Sequence, residues 1–198
     1  MSLSRQGRKV FNRLAEKPVK WLVKKRVNPS VLTLAGLLMS CVAVVFYYLA
    51  RQDGVFMLYA GAALAVGSVL DGLDGAVARS LGVAGRRGAF TDSTVDRVED
   101  SLTAVGIMLS GYVDGLLVIV MLASSMLVSY TRARAEALGV SLADVGLAER
   151  WLRLAILTVA TAAATAIPEV LEAATAVVAV LSTLTVAQRI RYALKALD

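Results

Sequence analysis

Four stretches of this chain carry no charged residue: Val31 to Ala50, Val55 to Leu70, Gly115 to Thr131 and Leu154 to Pro168. Each reaches or approaches the roughly 20 apolar residues that a helix needs to cross a bilayer. In lipid the backbone N–H and C=O groups must bond within their own segment, so such runs read as helices and not as open strands. Of the 198 residues, 58% are hydrophobic and 18% charged, where a soluble domain carries about a quarter charged. The pattern predicts an all-α polytopic membrane protein with six transmembrane helices, at roughly 31–50, 55–79, 89–112, 115–137, 149–167 and 170–192. Short polar breaks separate them, among them Arg51 to Gly54, Asp114-Gly115 and Pro168-Glu169. No internal repeat or linker is visible. A single domain is expected over 1–198, with 1–28 a cytoplasmic segment and 29–198 the membrane part.

Basic residues set the expected orientation. Nine Lys or Arg precede the first span, and Arg51 is the only one on the opposite side. Basic loops stay in the cytoplasm, so both termini are expected there, in the cell membrane. This bias accounts for the net charge of +6 without nucleic-acid binding. Val10, Phe11, Leu14, Pro18, Trp21 and Leu22 recur at three-to-four spacing among Lys and Arg. That spacing predicts an N-terminal amphipathic helix lying in the membrane interface, with a flexible basic arm as the alternative. No cleaved signal sequence is expected. Cys41 is the single cysteine, which excludes an intrachain disulfide. The chain has no histidine, which excludes His-based acid–base chemistry and His-containing zinc sites.

The chemistry lies in 71–96. Asp71, Asp74, Gly75, Ala78 and Arg79 share one helical face at the end of the second span, and Gly88, Asp92 and Asp96 share one at the start of the third. Consecutive antiparallel spans joined by a short loop bring these ends together. Ionisable groups at membrane depth are costly and mark function. Four carboxylates in one volume repel unless cations or protons intervene. Oxygen-only ligands suit magnesium or manganese, and such a set can bridge two ions for phosphoryl displacement. Two other readings of the same acids stay open: helix-end carboxylates in cytoplasmic water, and an ion-transport site.

The pattern D-x-x-D-G-x-x-A-R, eight residues, then G-x-x-x-D-x-x-x-D resembles the signature of the CDP-alcohol phosphotransferases, matched by Asp71, Asp74, Gly75, Ala78, Arg79, Gly88, Asp92 and Asp96. The resemblance implies a metal-dependent phospholipid transferase, with CMP released from a CDP-activated lipid donor. It implies two divalent cations, Mg2+ or Mn2+, held by Asp71, Asp74, Asp92 and Asp96, with Asp96 also the general base. It places the CDP-lipid on Asp71, Gly75, Ala78, Arg79 and Gly88. Ser30, Val31, Leu32 and Thr33 are similar to the family's cytidine-contacting turn, although a helix N-cap reads the same way. Some relatives carry Ser or Thr where this chain has Gly85, which leaves only a backbone contact there. A homodimer is implied by the resemblance alone.

The second half bears on the acceptor. Arg132, Arg134, Arg150, Arg153 and Arg189 fall at expected cytoplasmic helix ends. Guanidinium forks bind phosphate oxygens in pairs, which points to an acceptor carrying phosphate. Plain topology-setting charge is the competing account. The run Ser129-Tyr-Thr-Arg132-Ala-Arg134-Ala-Glu136, followed by Gly146-Leu-Ala-Glu149-Arg150-Trp-Leu-Arg153, resembles the inositol 1-phosphate branch of the family. The resemblance implies acceptor-phosphate contacts from Ser129, Arg132, Arg150, Arg153 and Arg189, and favours CDP-archaeol over CDP-diacylglycerol. A sibling enzyme using glycerol 3-phosphate or serine, and a non-enzymatic ion carrier, are the alternatives. Asp100, one turn past Asp96, reads equally as support for the site or as a solvated or paired carboxylate.

Overall fold

A computed structural model of the chain describes residues 15–142 and 145–197. Among these residues every regular element is a helix. α1 covers 15–24. The others are α2 (Pro29–Leu49), α3 (Val55–Ser80), α4 (Arg86–Ser110), α5 (Gly115–Ala137), α6 (Arg150–Ala163) and α7 (Glu169–Leu197). Their ends follow local chemistry. Asn28 Oδ1 accepts from Ser30 N–H at 3.0 Å ahead of Pro29, a residue pre-set for the first helical turn. Asp114 Oδ1 caps α5 by accepting from Leu116 and Leu117 N–H. Gly111 ends α4 at φ +75°, which a residue without Cβ adopts at no steric cost.

Four helices, α2, α3, α5 and α7, are long and apolar enough to cross a membrane. α4 and α6 coincide with the other two expected spans, but α4 is loaded with charge in its first half and α6 ends after 14 residues. The bundle is apolar outside. Leu34, Leu38 and Val45 of α2, Leu116, Ile119 and Leu127 of α5, and Val180 and Leu184 of α7 all face outward. Ser40, Thr103, Ser110, Ser124, Ser125, Thr161, Thr175, Ser182 and Thr185 are buried. Several of these hydroxyls donate to the carbonyl one turn back, as Thr161 does to Leu157 O (2.7 Å) and Thr175 to Leu171 O (2.7 Å), which satisfies them without water. An apolar exterior around a polar interior largely satisfied within the bundle, Thr103 Oγ1 being an exception, is the distribution lipid favours.

α3 packs on α2 and α6, α4 on α2 and α5, and α7 on α5 and α6. The core holds Tyr47, Met57, Ile107, Val118, Leu171 and Val178. Small residues set the helix spacing. A Cβ on Gly67 would stand 3.4 Å from Gly36 O, and one on Gly106 would strike the Tyr47 ring. The hydroxyl of that ring lies 2.5 Å from Thr161 Oγ1, which ties α2 to α6.

α1 buries Ala15 and Leu22, with Val19 alongside, against Leu32 of α2 and Leu73 and Val77 of α3, and leaves Trp21 exposed. Pro18 of the expected amphipathic stripe is exposed as well, and Val10, Phe11 and Leu14 of that stripe lie outside the described residues. Alternation of helix direction gathers the start of α2, the end of α3, the start of α4, the end of α5, the start of α6 and the end of α7 at one end of the bundle. The site is there.

Candidate active site

The helical faces read from spacing do meet. Asp71, Asp74 and Asp92 offer carboxylate oxygens within 4.8 Å of one another, and Asp71, Asp96 and Glu99 form a second such group. Asp71 belongs to both, so the two groups share one carboxylate. Asp74 is buried, Asp71 and Asp96 are half-buried, and Asp92 is exposed. The set therefore runs from the packed interior to the surface. Thr33 Oγ1 donates to Asp74 Oδ2 at 2.5 Å and fixes that carboxylate. Hard oxygen donors grouped this closely can hold divalent cations. The buried oxygens Asp96 Oδ1 and Glu99 Oε1, which no hydrogen bond satisfies, fit the same use.

The expected donor residues line the neighbouring surface. The Arg79 guanidinium lies across Gly75, whose Cβ would stand 3.2 Å from Arg79 Nη1. Gly85 and Gly88 face open space at the start of α4, and Ala78 is half-buried on the same face of α3. Of the turn at the start of α2, Ser30 and Val31 are exposed, Leu32 is packed beneath α1, and Thr33 serves Asp74.

The arginines are deployed less uniformly than flanking charge would be. Arg150, at the start of α6, reaches four carboxylates. Its Nη1 pairs with Asp71 and lies 2.8 Å from Asp96 Oδ1; Nη2 is 2.6 Å from Glu99 Oε2 and Nε 3.2 Å from Asp100 Oδ1. Arg153 is buried, donating to Ala148 O (2.8 Å) and pairing with Asp100 at 3.5 Å. Arg189, also buried, donates from Nε to Val145 O (2.9 Å) and from Nη1 to Val128 O. The loop that Arg189 clasps is held a second time by Thr185 Oγ1, which accepts from Leu147 and Ala148 N–H. Arg132 is exposed and pairs with Glu136 at 2.8 Å. Ser129 Oγ accepts from Arg97 Nη1.

Two side chains of this site, Glu99 and Arg97, and the role of a third, Thr33, escaped the sequence reading. Glu99 sits seven residues after Asp92 and three after Asp96, on the same helical stripe, so extending the spacing by one turn finds it. Arg97 bridges Ser129, Asp96 and Asp100; nothing in its spacing marks it. The service of Thr33 to Asp74 spans 41 positions and has no local signal. Asp100 is a paired carboxylate and not a solvated one, since it receives Arg97, Arg150 and Arg153.

Comparison with known proteins agrees with this geometry. Residues 26–188 match the model of the CDP-alcohol phosphatidyltransferase family. An archaetidylinositol phosphate synthase of Pyrococcus horikoshii is 39% identical over 142 residues, covering 72% of this chain and 73% of that protein. The crystal structure of Mycobacterium tuberculosis phosphatidylinositol phosphate synthase with CDP-DAG bound superposes with a TM-score of 0.78 at 26% identity, covering 91% of this chain and 94% of that one. The same enzyme in complex with manganese and citrate gives a TM-score of 0.77 at 25% identity, covering 90% and 88%. The match takes in all four aspartates and four of the five expected acceptor residues, and on that ground the chain belongs to the CDP-alcohol phosphatidyltransferase family and is a phospholipid-synthesising transferase.

Proposed function

We propose that this enzyme transfers the phospholipid group of a CDP-lipid to inositol 1-phosphate, releasing CMP and forming an archaetidylinositol phosphate or its diacyl counterpart. The observation that carries the reading is the sharing of Asp71 between two carboxylate groups, beside arginines that topology alone does not require. The relative named an archaetidylinositol phosphate synthase supports the inositol assignment and favours an archaeol donor.

Asp71, Asp74, Asp92 and Asp96 would hold two divalent cations, Mg2+ or Mn2+. Such ions would supply charge to neutralise the pyrophosphate of the donor and the charge on departing CMP. Asp96 takes the proton from the acceptor hydroxyl. The freed oxygen forms a bond to the lipid-bearing phosphorus as the bond from that phosphorus to the CMP oxygen breaks. Ser30, Val31, Leu32, Thr33, Gly75, Ala78, Arg79, Gly85 and Gly88 form the donor surface. Ser129, Arg132, Arg150, Arg153 and Arg189 bind the acceptor phosphate.

Six helices, α2 to α7, span the cell membrane as one domain, α1 lies in its cytoplasmic interface, and both termini and the site face the cytoplasm. The working unit is a homodimer. The test is CMP release by purified protein with CDP-archaeol or CDP-diacylglycerol, offered inositol 1-phosphate, inositol, glycerol 3-phosphate or serine. Inositol 1-phosphate is used and free inositol poorly or not at all, because a site built on charged contacts rejects an analogue lacking them. Product from glycerol 3-phosphate with none from inositol 1-phosphate overturns the acceptor and leaves the transferase standing.

A further inference from the structure

The side chain of Arg150 has more partners than topology or an acceptor site calls for. One guanidinium contacts Asp71 on α3 and Asp96, Glu99 and Asp100 on α4. Asp71, Asp96 and Glu99 are also one of the two carboxylate groups whose oxygens lie within 4.8 Å of one another. Glu99 is 5% exposed. Its Oε2 is on Arg150, and its Oε1 is buried without a hydrogen bond. A buried carboxylate oxygen with no donor is expensive, and Asp96 Oδ1 is in the same condition apart from its ion pair. Arg97 pairs with Asp96 and Asp100, and Arg153 with Asp100.

Resting on the proposed two-cation reading, we propose that Glu99 joins Asp71 and Asp96 as a ligand of the second divalent cation, and that Arg150 is the internal cation holding this position in the ion-free chain. Mg2+ needs carboxylate oxygens at about 2.0–2.1 Å, so it and Arg150 Nη1 cannot both use the oxygens that Arg150 now holds, Asp71 Oδ2 and Asp96 Oδ1. The ion brings two charges to a partly desolvated cluster where the guanidinium brings one, and in such surroundings charge dominates. Arg150 then withdraws its Nη groups. Its Nε contact with Asp100 keeps it beside the site, because Asp100 is itself anchored by Arg97 and Arg153. The released Nη donors become available to an anionic acceptor. Arg150 is a positioning residue in the ion-free state and an acceptor contact only after the ion has entered, so the ion precedes the acceptor.

The experiment is a Mn2+ titration of the purified full-length protein in detergent, without donor or acceptor, with free Mn2+ read by electron paramagnetic resonance. Wild-type protein is expected to show a tighter and a weaker class of Mn2+. Arg150→Gln removes the competitor and tightens the weaker class about tenfold or more. Glu99→Gln removes a ligand and weakens that class by a similar factor; were Glu99 only an anchor for Arg150, its loss would tighten it. An unchanged or opposite response to either variant overturns the corresponding role. Arginine modification by phenylglyoxal, mapped by mass spectrometry on wild-type protein, serves if Arg150→Gln fails to fold: Mn2+ should speed labelling of Arg150, and an unchanged rate overturns its release. Wild-type protein that binds no Mn2+ overturns the two-cation reading itself, whereas normal Mn2+ binding with unresponsive variants overturns only this inference.

Discussion

Thr33 Oγ1 donates a hydrogen bond of 2.5 Å to Asp74 Oδ2, joining the first turn of α2 to the last turns of α3. Asp74 is the most buried of the four aspartates, and this contact fixes which way its carboxylate points. Thr33→Val keeps the shape and removes the hydroxyl. A hydrogen bond to a charged group contributes about 1.5–3 kcal/mol, so kcat/KM should fall roughly ten- to a hundredfold. Thr33→Ser should restore most of it. Steady-state CMP release across the three proteins checks this, and a failure of Ser to rescue would point to packing.

Removing charge from the carboxylate groups should stop the chemistry while leaving the bundle inserted. Asp96→Asn should lower kcat by about 10²–10⁴, the usual range for a lost general base, and Asp71→Asn, shared by both groups, should leave no measurable transfer. Excess chelator should silence wild-type protein, with recovery on adding Mg2+ or Mn2+. Full activity in chelator would refute the metal assignment.

The arginines separate by burial. Arg132 is exposed and paired with Glu136 one turn away, an arrangement that contributes under about 1 kcal/mol to stability. Arg132→Ala should therefore leave Tm nearly unchanged and raise the KM for inositol 1-phosphate more than that for the CDP-lipid. Arg189→Ala strips Val145 O of its side-chain donor and removes one of two side-chain donors from Val128 O, the other being Thr131 Oγ1. Leaving a buried acceptor unpaired costs about 1–3 kcal/mol, so Tm should fall together with acceptor use. Thermal unfolding in detergent beside acceptor kinetics distinguishes the two, and equal Tm losses would contradict the burial argument.

Gly106 marks where α4 meets the Tyr47 ring. A Cβ there would stand 3.1 Å from Tyr47 Cε2 and 3.2 Å from Cγ, with Cδ2 closer still. Overpacking of this kind typically costs about 1–3 kcal/mol. Gly106→Ala should lower Tm and leave the KM of surviving molecules close to wild type, since Tyr47 and Thr161 lie away from the carboxylates.

The uncharged runs determined the helical class, because a backbone in lipid has to satisfy itself within its own segment. The three-to-four spacing of Asp71 with Asp74, and of Asp92 with Asp96, determined which side chains share a face. Both facts are local, and both are written in consecutive residues. What spacing does not carry is which face of which helix lies opposite. Arg150 meets Asp71 across 79 positions, Arg189 meets Val128 across 61, and Thr33 meets Asp74 across 41. Each pairing depends on how close two helices come, a distance that Gly36 and Gly67 set between α2 and α3 and that Gly61 sets against Ala162 between α3 and α6. The four carboxylates were therefore legible in the sequence as a site. That Arg150 lies on them, with Glu99 and Asp100 holding it there, was decided by tertiary packing, which brings the start of α6 against α3 and within side-chain reach of α4.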